Sequence, residues 1–275
     1  MSETARGRAL LAWYRRHARR LPWRADRDPY RVLVSEVMLQ QTQASRVEPH
    51  FEHFLSRFPA VEDLAAAPLA EVLAAWSGLG YNARAARLRA AARTIVAAGW
   101  PTGVDGLQSL PGVGPYTARA VAAIAFGARH AAVDTNVRRV LSRWHGAPLQ
   151  GRELQQSADC AVTGDAGTWN QALMDLGATV CLPRAPRCGE CPVAGWCTDP
   201  AVNTSPRRQV AFAGSSRQAR GAVIEALVRA GGRLSTAELG RSTRLDDRRI
   251  GTAVAALAAD GLVNRAGDGS VDIAG

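Results

Sequence analysis

Along the first 200 positions, apolar residues recur at helical rather than strand spacing, in short runs separated by glycine and proline. Leu33, Val34, Val37 and Met38 share one face of a segment that begins at Pro29 behind a capping Asp28 and carries Glu36 in its middle. A second run begins at Pro68, buries Leu69, Val72, Leu73 and Trp76, and stops at Gly78 and Gly80. A third extends from about Asn82 to Ala98 and ends at Gly99 and Pro101. Val137, Val140, Leu141 and Trp144 follow the i, i+3, i+4, i+7 rule in a helix opened by Asp134 or Thr135. Short connections between such runs predict a compact all-α body.

The pattern changes after a Ser-, Pro- and Arg-containing stretch, Asn203 to Ser216, that reads as a linker. Beyond it come a helix from about Arg217 to Ala230, a short one at Thr236 to Leu239, and a longer one at Asp246 to Asp260. Leu262 to Ile273 then forms a hairpin that turns at Gly267 and Gly269. That order is the order of a winged helix-turn-helix. Arg248 and Arg249 lie on its presumed recognition helix, where DNA contact, protein contact and a merely stabilising role are all open.

Charge adds a partner. The 275 residues carry 34 basic against 24 acidic side chains, a net charge of +10, which points to a polyanion such as nucleic acid. Nine arginines against seven carboxylates over residues 217–275 leave only +2 there, so the basic surface is expected mainly on the preceding part. Every basic residue is arginine, and without a lysine amine Schiff-base chemistry has no side chain to use. The same Arg- and Ala-rich usage suggests a GC-rich bacterial genome. No run of apolar residues is long enough for a bilayer helix, and Met1 to Arg20 is Arg-rich and amphipathic without a signal-peptide core, so a cytoplasmic, nucleoid-associated protein is expected.

Three motifs carry chemistry. Leu110-Pro111-Gly112-Val113-Gly114 precedes a helix from Pro115 to about Ala125, and its glycines allow a sharp turn with outward amide N–H groups suited to a phosphate oxygen. With helices on both sides, Gly112, Val113 and Gly114 read as a helix-hairpin-helix that grips the DNA backbone without reading sequence. Cys181, Cys188, Cys191 and Cys197 form a four-thiol group with six-two-five spacing, sufficient for a tetrahedral zinc or an iron-sulfur cluster. Arg184 and Arg187 lie in the loop between the first two cysteines, within reach of phosphates or simply solvated. Cys160 stands apart and reads as a small buried residue. Third, a carboxylate on an otherwise apolar helix face is costly unless paired or used, which makes Glu36 a site candidate on physical grounds.

In combination these motifs resemble the adenine DNA glycosylase (MutY-type) family of the helix-hairpin-helix, iron-sulfur glycosylase superfamily, over roughly residues 8 to 198. Leu21-Pro22-Trp23-Arg24, the run Ser35-Glu36-Val37-Met38-Leu39-Gln40-Gln41-Thr42-Gln43, Gly78-Leu79-Gly80-Tyr81 and Val133 to Val140 all fit. The resemblance implies two helical subdomains, about 27–131 and about 1–26 with 132–200, followed by a 201–216 linker and the winged-helix-like 217–275. It implies a 4Fe-4S cluster on the four cysteines, with Glu36 protonating the base and Asp134 stabilising an oxocarbenium-like sugar. Tyr116, Asn136 and Arg24 would add further active-site groups, and Gln41 and Tyr81 would wedge into the duplex beside the orphan base. The implied substrate is double-stranded DNA with adenine opposite 8-oxoguanine or guanine, attacked by a monomeric, monofunctional enzyme that leaves an abasic site. Family members typically carry a Nudix-like C-terminal domain, which the winged-helix-like segment does not resemble; preference for 8-oxoguanine over guanine is therefore left open. Two competing readings stand beside it: a thymine or uracil mismatch glycosylase, and a non-catalytic iron-sulfur regulator that binds DNA.

Overall fold

The structure, a computed structural model, describes residues 4–204 and 211–275. Part of the expected linker therefore lies outside the described residues. In chain order the helices are α1 (Ala5–His17), α2 (Pro29–Leu39), α3 (Ala44–Arg57), α4 (Val61–Ala66), α5 (Leu69–Ala75), α6 (Ala83–Ala98), α7 (Val104–Gln108), α8 (Pro115–Ile124), α9 (Thr135–His145), α10 (Gly151–Ala161), α11 (Ala166–Thr179), α12 (Ser216–Ala230), α13 (Thr236–Thr243) and α14 (Asp247–Ala259). Two short strands follow, β1 (Val263–Arg265) and β2 (Val271–Ile273).

Contacts divide the described residues into two units. The first comprises residues 4–36, 101–109 and 113–204, and its core joins Leu10, Trp13 and Tyr14 of α1 to Val140, Leu141 and Trp144 of α9 and Trp169, Leu173 and Leu176 of α11. Cys181, Cys191 and Cys197 pack against this same core. Close packing of α11 depends on its glycines: a methyl at Gly167 would lie 3.0 Å from the Ala123 carbonyl oxygen, and one at Gly177 would lie 2.6 Å from Asn136 Cβ. Small residues thus let α11 seat against α8 and against the first turn of α9.

The second unit comprises residues 37–100, 110–112 and 211–275. Phe54 packs edge-on against Trp76, centroids 5.8 Å apart, within a core that includes Phe51, Leu64 and Leu88. In its C-terminal part α12, α13 and α14 enclose Val223, Leu227, Leu239, Ile250 and Leu257. β1 and β2 pair antiparallel, and Leu234 bridges Val271. α13 is longer than its hydrophobic pattern predicts, because Leu239 is its one buried apolar anchor whereas the Ser235–Glu238 capping box starts it and Arg244, at φ 57°, ends it.

Two expectations are corrected. α2 is buried on all sides and not on one face, with Tyr30 and every residue from Val32 to Met38 below a tenth exposed. Cys160 is exposed: α10 buries Leu154 and Ala158, one helical turn apart, and Cys160 falls on the opposite side.

Arg84 on α6 organises the end of α2. Its Nη1 donates to the carbonyls of Val37, Met38 and Gln40 at 2.8, 2.9 and 2.7 Å. Its Nη2 reaches Gly80 O at 3.1 Å and Thr42 Oγ1 at 3.2 Å. One guanidinium thereby satisfies carbonyls that the helix terminus leaves without partners. Burial lowers its pKa to about 10, still leaving it charged at neutral pH. Arg84→Leu would strand these carbonyls at about 1–3 kcal/mol each, so a loss of at least about 3 kcal/mol is expected. Urea unfolding should show a lower midpoint with an unchanged slope.

Candidate active site

Glu36 sits at the centre of α2, 5% exposed, and its Oε2 is buried without a hydrogen-bond partner. Burial raises its pKa from the ordinary 4.5 to about 7; the Tyr116 hydroxyl and Arg24 favour the ionised form, while Asp134 works against it. The carboxyl is therefore poised to hold or release a proton near neutrality. Tyr116 follows Pro115 in the first turn of α8, and its hydroxyl is pushed well above the usual phenol range by burial and by the carboxylates of Glu36 and Asp134. It stays neutral and touches Met174 Sδ at 3.9 Å.

Asp134 is the N-cap of α9. Oδ1 accepts from Val137 N at 2.7 Å and Oδ2 from Asn136 Nδ2 at 3.0 Å. Burial raises its pKa, and these two hydrogen bonds oppose the shift. Asn136 is in turn held by Arg139, whose Nη2 donates to its Oδ1 at 2.9 Å and to Gly177 O at 2.6 Å. One carboxylate thus caps α9 and also acts electrostatically on Glu36.

Arg24 ends the Pro22–Arg24 turn and is committed to a partner that the sequence pattern did not single out. Its Nη1 and Nη2 donate to Asp175 Oδ2 and Oδ1 at 2.8 and 2.9 Å, and Arg19 adds a 2.6 Å bond from Nε and a 3.0 Å bond from its backbone N. Asp175 is completely buried on α11; burial alone would raise its pKa, but the Arg24 and Arg19 bonds hold it below the usual range. A carboxylate set among Leu173, Met174 and Leu176 was the available signal. Glu36, Tyr116, Asp134 and Arg24 thus influence one another within the first unit, and Asp175 fixes the arginine.

The other candidates occupy separate places. At the hairpin, Gly112 adopts φ 78°, where a methyl would lie 2.8 Å from Arg87 Cβ; Val113 is buried and Gly114 is the N-cap of α8. Gln41 and Tyr81 both stand at positive φ, 57° and 49°, a conformation that costs a bulky side chain about 1 kcal/mol or more and marks both turns as constrained. Arg184 and Arg187 are exposed on the cysteine loop, and Arg187 pairs loosely with Glu190 at 3.8 Å. Arg249 donates to Gly214 O at 3.3 Å. Among the described residues no helix is long and apolar enough to cross a membrane.

All four clustered cysteines border one cavity of about 100 Å³ beside Leu176 and Val180, and none is in a disulfide. Burial and the neighbouring thiols raise the pKa of Cys191 and Cys197, a penalty that binding iron as thiolate would remove. Arg143 Nη1 donates to Cys181 Sγ at 3.1 Å, as suits a sulfur carrying negative charge. The donors enclose a volume lined by soft ligands, which fits a cluster.

A model of the HhH-GPD superfamily of base excision DNA repair proteins matches residues 34–160, and a model of the iron-sulfur binding domain of endonuclease III matches residues 181–197. The fold and site are thus those of a helix-hairpin-helix DNA glycosylase with an endonuclease III-type 4Fe-4S centre. An adenine DNA glycosylase of Mycolicibacterium smegmatis is 43% identical over 279 residues, covering 97% of this chain and 95% of that protein. The human adenine DNA glycosylase is 44% identical over 211 residues, covering 69% of this chain and 38% of the human protein. A solved thermostable thymine-DNA glycosylase superposes with a TM-score of 0.66 at 32% identity, over 70% of this chain and 93% of that one. The chain belongs to the adenine DNA glycosylase family.

Two outcomes follow from the geometry. A carboxyl whose folded pKa is raised destabilises the fold as pH climbs from 4.5 through 7, because ionising it is harder inside than in the unfolded chain. Glu36→Gln should therefore stabilise the protein by about 2–3 kcal/mol at pH 8 and by little at pH 5, read from urea midpoints at the two pH values. Cys191→Ser should lower iron below four per chain and bleach the visible absorbance.

Proposed function

We propose that this protein hydrolyses the N-glycosidic bond of adenine mispaired with 8-oxoguanine or guanine in double-stranded DNA, as a monofunctional monomer that leaves an abasic site. The observation that carries the reading is the buried Glu36, with its pKa raised to about 7, coupled to Asp134 and Tyr116. The name of the 43% identical relative supplies the base.

In this reading the hairpin amides at Gly112 to Gly114 hold the phosphate backbone and the adenine leaves the stack, with Gln41 and Tyr81 entering the gap. Glu36 donates its proton to a ring nitrogen of the adenine. The C1′–N9 bond then breaks with its electron pair passing to the base, a better leaving group once protonated. Asp134, ionised and held by Val137 N and Asn136, faces the developing positive sugar, following the two-carboxylate logic of glycoside hydrolysis. Water supplies hydroxide to C1′ and its proton returns to a carboxylate. The role of Arg24 is to keep positive charge beside the site in a form fixed by Asp175. Arg184 and Arg187 add phosphate contacts at the cluster loop. The catalytic part is assigned to residues 1–200 and a winged-helix-like module to 217–275, acting on chromosomal DNA in the cytoplasm.

A second reading, thymine release from G:T mispairs, is favoured by the likeness to the thymine-DNA glycosylase structure. Single-turnover base release on duplexes with A opposite 8-oxoguanine, A opposite G and T opposite G separates the two. Adenine release is expected, falling as pH rises through about 7 when Glu36 loses its proton. Glu36→Gln should slow it by about a hundredfold or more. Strand cleavage trapped by borohydride would sink the monofunctional assignment, since the chain has no lysine.

A further inference from the structure

Within the second unit a groove of about 990 Å³ runs between the two constrained turns and α12. Gln41, Gly80 and Tyr81 line one wall, and Arg217, Gly221 and Ile224 line the other. Five arginines against two carboxylates border it, and one of those carboxylates, Asp260, is already neutralised by Arg220. The groove therefore suits an electron-rich, acceptor-bearing occupant with an apolar face.

Arg217 and Tyr81 meet across it, 136 residues apart in sequence. Arg217 Nη1 donates to Tyr81 Oη at 2.7 Å, and its guanidinium carbon lies 5.7 Å from the centre of the tyrosine ring. Arg84 approaches the same ring at 5.4 Å and anchors the turn that carries it. Tyr81 is thus a half-buried, positively flanked ring, held at φ 49° by a residue locked to α2 and touched by a residue of the C-terminal module. A base placed against that ring would lie beside the Arg217 guanidinium.

We propose that Arg217 is a specificity-determining residue for the base opposite the extruded adenine, donating to the O6 edge that guanine and 8-oxoguanine share. One N–H of the planar Arg217 fork is matched to O6, the acceptor that both guanine-type bases present, whereas adenine and cytosine place an amino group at the corresponding position. The winged-helix-like module then acts on the orphan strand through α12, and α14, the presumed recognition helix, is not the element that reads the base. The low net charge of residues 217–275 agrees with a module that reads one base and does not grip the phosphate backbone.

This proposal rests on the adenine glycosylase reading above, and one experiment separates the two. Single-turnover adenine release is measured for the wild type, Arg217→Ala and Arg217→Lys on duplexes with A opposite 8-oxoguanine, guanine, cytosine and a tetrahydrofuran spacer. No adenine release by the wild type from any duplex refutes the function itself. With an active wild type, Arg217→Ala should lower the ratio of guanine-opposed to spacer-opposed rates by about ten- to a hundredfold, the size of one lost charge-assisted hydrogen bond. Arg217→Lys should fail to restore that ratio, since an ammonium keeps the charge without the fork. Equal slowing on all four duplexes, or full rescue by lysine, would overturn the proposal and leave Arg217 a structural clamp on Tyr81 or a general electrostatic contact. Because the readout is a ratio within one protein preparation, partial misfolding of a variant cancels.

Discussion

Burying one carboxyl without a partner for its second oxygen is the constraint around which the candidate active site is built. Glu36 occupies a helix with no exposed side, so its ionised form meets neither water nor a matched cation. Such a group shifts its pKa before it tolerates an uncompensated charge. Its surroundings adjust the shift. Tyr116, too deeply buried to ionise, favours the carboxylate; Asp134 disfavours it; Arg24, its charge already given to Asp175, exerts only a residual pull. Had Arg24 been free to pair with Glu36, the acid would be lost at neutral pH. The buried Asp175 thereby engages the guanidinium whose charge reaches Glu36.

Arginine does a second kind of work throughout the fold. Arg84 gathers carbonyls at the end of α2, Arg89 Nε donates to Ala67 O, Arg139 to the carbonyls of Cys181 and Gly177, and Arg143 to those of Leu182, Pro183 and Val202. Short helices end often, and every end leaves carbonyls that need donors. Five N–H groups in a rigid fork reach several at once, which an ammonium on a flexible stem does less well. A part of the +10 charge is consequently interior scaffolding rather than a DNA-facing surface, and net charge alone overstates the basic footprint. Arg143 joins this scaffolding to the cysteine cavity through its bond to Cys181 Sγ, so that with Arg139 it ties the cluster loop to α9.

Some of the molecule was legible in local pattern. Helix starts at Pro29, Pro115 and Thr135 follow from caps and fixed proline dihedrals, which act within a few residues. The cysteine spacing, the glycine hairpin and the carboxylate at position 36 were visible for the same reason. The C-terminal order of three helices and a strand pair also follows local signals, although α13 outran its pattern because a capping box and an αL terminus set its length. The exposure of Cys160 was not legible, because one residue type says nothing about which side of α10 it takes.

Sequence by itself determined which chemical groups exist and near which turns: an acid on α2, an acid capping α9, four thiols at six-two-five spacing, and no amine for a Schiff base. Tertiary structure alone decided what those groups are. Burial on every side, which no periodicity in α2 announces, raises the Glu36 pKa to about 7. Contacts between residues more than a hundred positions apart, Arg24 with Asp175 and Arg217 with Tyr81, set one guanidinium aside and place another against a tyrosine ring. Electrostatic environment is a sum over neighbours in space, and the chain order carries no record of that sum until the helices pack.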